Sequence, residues 1–205
     1  MKELGPIVAD ARERLMVRAR REGLETVGYG VVDSPLGPLW VAVGPRGLLN
    51  IHYGAEPSPL ELRRIVRAYG PGVLPDARRV DDVARELDQY FNKKRRDFDV
   101  AIDLSPLTPF QRKVLAVTAR VPYGELITYA KVAHNTGNDR AYRAAAGAIG
   151  DNPIPIVVPC HRVVASDGTL GGYAGGLDAK RRLLKLERGV DVPSGGWPPA
   201  HLSRS

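Results

Sequence analysis

Ile154-Pro155-Ile156-Val157-Val158-Pro159-Cys160-His161-Arg162-Val163-Val164 is the stretch from which the rest of the chain is best read. An apolar run punctuated by proline delivers the chain's single cysteine beside an imidazole and a guanidinium. The thiolate is the reactive form of cysteine, and a nearby histidine and arginine can depress a thiol pKa below its usual ~8.5. A lone cysteine in an apolar run is equally what a small buried hydrophobe looks like. Adjacent side chains on a strand point to opposite faces, so Cys160 and His161 cooperate only if the chain turns there or a water bridges them. Pro159 favours such a bend.

Outward from this stretch the chain divides near Ser105-Pro106. On the amino-terminal side, apolar positions at Val8, Ala11, Leu15 and Ala19 predict a helix over 6–22, with Pro6 in its first turn. Three short strands are predicted at Thr26–Val32, Gly37–Val43 and Gly47–Tyr53, separated by turn signals at 34–37 and 44–47, as an antiparallel meander. Helices are predicted at Pro59–Tyr69 and Asp81–Lys94. Phe98, Val100 and Ile102 alternate with Asp97, Asp99 and Asp103, which predicts an extended segment. On the carboxyl-terminal side, Thr108-Pro109 is a cap and first-turn pair opening a helix that carries Phe110, Val114 and Val117 on one face. Thr128 caps a short helix through Ala133, His134–Asn138 turns, and Asp139–Ile149 forms an alanine-rich helix. Two short helices joined by a glycine turn are the helix-turn-helix signature. A last helix is predicted over Asp178–Arg188, stopped by Gly189.

The expected fold is therefore α+β. A small N-terminal domain, 1–104, has an antiparallel sheet plus helices, with residues 1–24 an extra helix. A mostly helical C-terminal domain, 105–190, carries the helix-turn-helix and Cys160. Residues 191–205 form a flexible, frayed tail.

Composition narrows the function classes. The chain has 205 residues and one cysteine, which rules out an internal disulfide and a cysteine-cluster zinc site. No apolar run approaches the ~20 residues of a membrane span, and no signal peptide is expected, so a reducing, cytoplasmic setting fits. Net charge is +7, and its location matters more than its size. Residues 1–104 hold 17 Lys/Arg against 16 Asp/Glu, whereas residues 105–190 hold 12 against 6. The excess sits in the segment containing Cys160, as expected of a surface facing phosphate; a generic basic surface would look the same.

Pro159-Cys160-His161-Arg162-Val163, preceded by Asn152-Pro153-Ile154-Pro155, resembles the active-site motif of the O6-alkylguanine-DNA alkyltransferases. The similarity extends to Thr108–Val114, to Pro122-Tyr123-Gly124-Glu125 with Thr128-Tyr129, to Arg143-Ala144 with Gly147, and to Gly172–Leu177. These motifs follow one another over about residues 105–189. The N-terminal half resembles the family's smaller domain more loosely, through Ser34–Gly37 and the Phe98 region.

The resemblance implies a role for each residue. Cys160 accepts the alkyl group irreversibly, once per molecule, from O6-alkylguanine and less readily from O4-alkylthymine. His161 draws the thiol proton through a water, oriented by Glu187, which lies 27 residues beyond the cysteine. Tyr129 donates a proton to the departing guanine. Asn152 braces the active-site turn as a hinge. Arg143 enters the gap left by a flipped base, with the helix in the minor groove of double-stranded DNA; Arg140, Ala144 and Gly147 lie with it on the DNA side. Ala141, Ala145 and Ala148 are read with them as one small face. Pro155, Val163, Tyr173, Ala174 and Gly175 hold the flipped base. Many relatives have serine where this chain has Ala174, so a hydroxyl contact is lost while the backbone N–H stays. No cofactor and no metal are implied. The protein is expected to act as a monomer, with cooperation along DNA open. His52, His134 and His201 are expected to be structural or solvated. Two other classes compete: a lesion-binding protein without transfer, and a thiol hydrolase using Cys160 and His161. The first lacks the acceptor cysteine elsewhere; the second would leave the helix-turn-helix unexplained.

Overall fold

The computed structural model describes residues 26–193 and 195–197, together with 14, 17–19 and 21–24. Most of the expected helix over 6–22 lies outside the described residues; within it, 14, 17–19 and 21 are helical.

The N-terminal half is built on a four-stranded sheet. β1 (Val27–Val32), β2 (Leu39–Gly44) and β3 (Gly47–Tyr53) form the expected antiparallel meander. Its first turn is closed by Ser34, whose hydroxyl donates to the Gly37 carbonyl at 2.6 Å and accepts from the Leu36 amide at 3.1 Å. β4 (Val73–Pro75) adds a parallel partner to β1, so the sheet is mixed rather than antiparallel throughout. Three residues ending in proline show no alternation from which a strand could be read.

Between β3 and β4 lies α1 (Pro59–Tyr69), which matches its predicted bounds. Ser58 and Glu61 cap it reciprocally, with Pro59 in the first turn. α2 (Ala77–Phe91) starts and ends earlier than predicted; the Asp76 side chain caps it by accepting from the Arg78 amide at 3.1 Å. The extended segment after it is hydrogen-bonded to the sheet at Leu48, whose amide donates to the Ala101 carbonyl at 2.8 Å and whose carbonyl accepts from the Asp103 amide at 2.9 Å. Gly47 permits this approach, since a Cβ there would lie 2.3 Å from the Ala101 oxygen. Asp103 breaks the predicted alternation. It is buried, taking hydrogen bonds from Arg46 Nε at 2.9 Å, from Tyr69 Oη, and from the Ser105 amide at 2.9 Å.

The C-terminal half runs α3 (Pro109–Ala119), β5 (Ile127–Thr128), α4 (Tyr129–Asn135), a 3-10 turn (Asp139–Ala141), α5 (Tyr142–Gly150), a second 3-10 turn (Cys160–Arg162), β6 (Val163–Val164) and α6 (Gly176–Arg188). Thr108 and Gln111 make the capping box of α3, and the Thr128 hydroxyl caps α4 by accepting from the Lys131 amide. Packing of α4 against α5 makes the expected helix-turn-helix. Gly189, at φ 73°, ends α6. β5 and β6 pair in parallel, which fastens the segment after Cys160 to the entry of the helix-turn-helix.

Two apolar clusters position the site. One joins the halves: Leu39, Ile51, Val83 and Tyr90 pack with Leu115, Ile154, Val158 and Leu183. The other lies under the helix-turn-helix, where Val114, Val132, Ala145, Ile149 and Val163 enclose Cys160. The frayed tail needs correcting for its first part. Trp197 is buried with Leu126, Val164 and Leu184, its amide donates to the Gly168 carbonyl at 3.0 Å, and the Arg188 guanidinium lies 4.5 Å from its ring centroid. An aromatic with something to bury outweighs the Gly/Pro composition around it. Among the described residues, no helix is long and apolar enough to cross a membrane.

Candidate active site

The strap 152–164 explains how an apolar run presents a thiol. Asn152 is buried, and its side-chain amide spans the strap. Nδ2 donates to the Val158 carbonyl at 2.9 Å and lies 3.1 Å from Cys160 Sγ, while Oδ1 accepts from the Ile154 amide at 3.0 Å. Between these anchors the chain doubles back, the Val158 amide donating to the Ile154 carbonyl at 2.9 Å, with Pro155 buried in the bend. Ile156 adopts φ 76° there, a left-handed conformation that costs a β-branched residue about 1–3 kcal/mol. Its fully buried side chain holds it in place. Cys160–Arg162 then form a 3-10 turn and the strand starts only at Val163, so the turn needed to bring Cys160 and His161 into one site is present.

Glu187 is the hub of the site. His161 Nε2 lies 2.8 Å from its Oε1; Tyr90 Oη donates to the same oxygen at 2.7 Å and Arg162 Nη2 at 2.8 Å. Oε2 accepts from Arg162 Nε at 2.9 Å and the Gly124 amide at 3.0 Å. Burial alone would raise this carboxyl, but the hydrogen bonds and charges of His161 and Arg162 outweigh it and hold the group well below the usual carboxylate range. His161 is wholly buried, and that burial lowers its pKa against the opposing pull of Glu187. The ring is therefore neutral at pH 7. Facing a carboxylate, Nε2 carries the hydrogen and Nδ1 keeps its lone pair. His161 Nδ1 has no hydrogen-bond partner among the described residues.

The neighbouring histidine and arginine side chains do not depress the thiol pKa. Cys160 is 4% exposed, and burial pushes its pKa up to about 11 despite the Asn152 amide and the positive charge of Lys180. The guanidinium of Arg162 is bound to Glu187 and to the Val121 carbonyl, not aimed at the sulfur. Sequence adjacency placed two cations near the thiol; the fold neutralises one and engages the other with a carboxylate.

Neither Lys180 nor the bond from Tyr90 to Glu187 was expected from the sequence. Lys180 is fully buried; its Nζ donates to the Val163 carbonyl at 2.6 Å and to the Leu170 carbonyl, and desolvation lowers its pKa to about 8. A signal existed: Lys180, Leu184 and Glu187 recur at helical spacing on the face of α6 that also carries Leu183, so two charges occupied core positions.

Tyr129 is half-buried and packs on the cluster that contains Cys160. Burial first, and the thiol second, raise its pKa, so the phenol keeps its proton. Its hydroxyl lies against Gly171, where a Cβ would be 3.0 Å away. Val163 is buried with its carbonyl engaged by Lys180, Tyr173 is half-buried beside His161, and Ala174 is exposed. The predicted small face of α5 divides. Ala145 and Ala148 are core residues, whereas Arg143, Ala144 and Gly147 face outward and a Cβ at Gly147 would meet open space. Arg140 is exposed on the preceding turn, and Arg143 rests 5.5 Å from the ring centroid of exposed Tyr142. His52 pairs with Glu61 and His134 with Asp139, each at 2.8 Å; His201 lies outside the described residues.

Fold and site together define a two-part α+β protein that carries one thiol, backed by a histidine–carboxylate pair, packed beneath its helix-turn-helix. Residues 109–189 match the family model described as 6-O-methylguanine DNA methyltransferase, DNA binding domain, and residues 27–104 that family's ribonuclease-like domain. The chain is 39% identical over 160 residues to a methylated-DNA–protein-cysteine methyltransferase of Methanosarcina barkeri, covering 78% of this chain and 96% of the relative. A Mycolicibacterium paratuberculosis protein of the same name is 39% identical, covering 79% and 93%. Among solved structures, Mycobacterium tuberculosis OGT in complex with DNA aligns with a TM-score of 0.69 and 36% identity, over 79% of this chain and 93% of that one. The O6-methylguanine-DNA methyltransferase of Pyrococcus kodakaraensis aligns with a TM-score of 0.58 and 26% identity, over 78% and 98%. The chain belongs to the 6-O-methylguanine DNA methyltransferase family.

Proposed function

We propose that this protein repairs DNA by taking the alkyl group of O6-alkylguanine, and less readily O4-alkylthymine, onto Cys160. The observation that carries the proposal is a neutral, fully buried His161 anchored through Nε2 to Glu187, next in sequence to a thiol that a second residue, Asn152, also contacts. A thiol with a pKa near 11 is unreactive by itself at neutral pH, so it needs a base. His161 Nδ1 takes the thiol proton through a water as Sγ attacks the alkyl carbon. The sulfur–carbon bond forms, the carbon–O6 bond breaks, and Tyr129 gives its proton to the departing guanine. Charge then re-equilibrates with solvent, and the thioether remains, so each molecule acts once.

The lesion is reached by flipping it from the duplex. The outward face of α5 enters the minor groove, where Ala144 and Gly147 allow close approach, Arg143 occupies the vacated space and Arg140 meets phosphate. Pro155, Val163, Tyr173, Ala174 and Gly175 line the place of the flipped base. Residues 1–104 act as a supporting domain, and 105–190 as the DNA-binding and alkyl-acceptor domain. The protein works as a monomer in the reducing cytoplasm, which keeps Cys160 free. The test is intact mass after incubation with duplex carrying O6-methylguanine. A gain of one methyl mapped to Cys160, absent in Cys160→Ala although that variant still binds DNA, is the expected result. An unmodified wild-type protein under saturating conditions rejects the proposal.

A further inference from the structure

Loop 171–176 carries three of the residues assigned to the flipped base, and the N-terminal sheet reaches directly into it. Tyr53, the last residue of β3, places its hydroxyl 2.7 Å from that of Tyr173, with the rings 5.9 Å apart and 66° inclined. Tyr173 in turn meets the His161 ring edge-on, 6.4 Å between centroids. Gly175 has φ −83°, so its backbone has no need of glycine. A Cβ there would nevertheless lie 2.6 Å from the Tyr53 ring. On the other side of the site, the Ile51 amide of the same strand donates to the Pro153 carbonyl at 2.8 Å, next to Asn152. One strand edge thus holds both the strap before Cys160 and the loop after it.

We infer that Tyr53 is a positioning residue of the acceptor site: its hydroxyl latches Tyr173, and its ring sets the path of the loop at Gly175, so that the loop offers the base one conformation. Gly175 is then required by the N-terminal sheet rather than by the substrate. This rests on the proposed alkyl transfer.

The experiment follows alkylation of Cys160 in the full chain as a function of free O6-benzylguanine concentration, which separates base capture from the chemical step. Tyr53→Phe keeps the ring and removes one hydrogen bond. It should raise the half-saturating concentration about three- to tenfold while the limiting rate stays within about twofold. A merely structural role would instead lower the fraction of protein that reacts and leave the half-saturating concentration alone. Gly175→Ala in the wild-type background should raise it about tenfold or more. With Tyr53→Ala already in place, the same change should add less than about twofold, because the obstructing ring is gone. Wild-type behaviour of Tyr53→Phe, or additive effects of the Gly175 and Tyr53 changes, overturns the latch. A wild-type protein that leaves Cys160 unalkylated overturns the proposed function itself.

Discussion

Glu187 and the outer face of α5 lie in the same half of the molecule, although Tyr90 reaches Glu187 from the other half, and their surroundings are built on opposite terms. Around Glu187, Tyr90, Arg162, Gly124 and His161 all converge on one carboxylate, out of reach of solvent. On α5, Arg143 stands exposed and rests on a neighbouring exposed tyrosine. The first arrangement holds a ring and its proton in one state before any substrate arrives, as catalysis by a weak thiol requires. The second leaves a long cation free to meet a partner that brings its own geometry. A substitution in the first region should therefore damage fold and chemistry together; one in the second should damage capture alone.

The strongest test of that contrast is Glu187→Gln. It leaves the buried Arg162 charge without its counter-ion, and unfolding by urea should show a loss of about 3–5 kcal/mol, with alkyl transfer nearly abolished. The pH dependence has a definite sign. The folded carboxyl lies below its ordinary 4.5, so its contribution is complete above that value and is lost as pH falls through it towards the depressed pKa. The gap between wild type and Glu187→Gln should narrow in acid; a gap independent of pH breaks the account.

Arg143→Ala comes next. Capture of alkylated duplex should fall roughly tenfold to a hundredfold, while reaction with free O6-benzylguanine and stability, within about 0.5 kcal/mol, stay as they were. Equal losses on duplex and free base would erase the distinction between the two regions.

Lys180→Met sharpens the buried side. Two buried carbonyls lose their donor, at about 1–3 kcal/mol near neutral pH. The lysine pKa is lowered from 10.5 to about 8 on folding, so between those values the unfolded chain holds more protons and wild-type stability rises with pH relative to the variant. The raised thiol works in the opposite direction and is itself pulled down by the Lys180 charge, so urea titrations of the pair in a Cys160→Ala background across this window isolate the lysine. A difference that stays flat from pH 8 to 10.5 means the ammonium is not desolvated as the structure has it.

The smallest effect belongs at the cap of α3. Thr108→Ala removes the hydroxyl that accepts from the Gln111 amide and should cost about 1 kcal/mol in thermal unfolding, with transfer unchanged.

Legibility of the fold followed the reach of the interactions. α1 was readable because Ser58, Pro59 and Glu61 act within one turn, and the same holds for Thr108 at α3 and Thr128 at α4. β4, β5 and β6, of two or three residues each, carry no period and exist only because distant partners meet them. The site divided in the same way. Cys160 and His161 stand side by side in one strap, whereas the roles of Asn152 and Glu187 came only through the family likeness. Tyr90 falls on the inward face of its predicted helix, but its bond to Glu187, 97 residues on, and that of Tyr53 to Tyr173, 120 residues on, left no local trace.

By itself the sequence determined which side chain is the candidate nucleophile, where the capped helices α1, α3 and α4 begin, which half carries the positive charge and to which family the chain is akin. These rest on residue identity and on neighbours a few positions apart. Tertiary structure alone decided that Cys160 is a protonated thiol rather than a thiolate, that Arg162 serves Glu187 instead of the sulfur, and that Lys180 is desolvated. Protonation follows from burial and from partners that fold in from far along the chain, and neither is a property of a tripeptide.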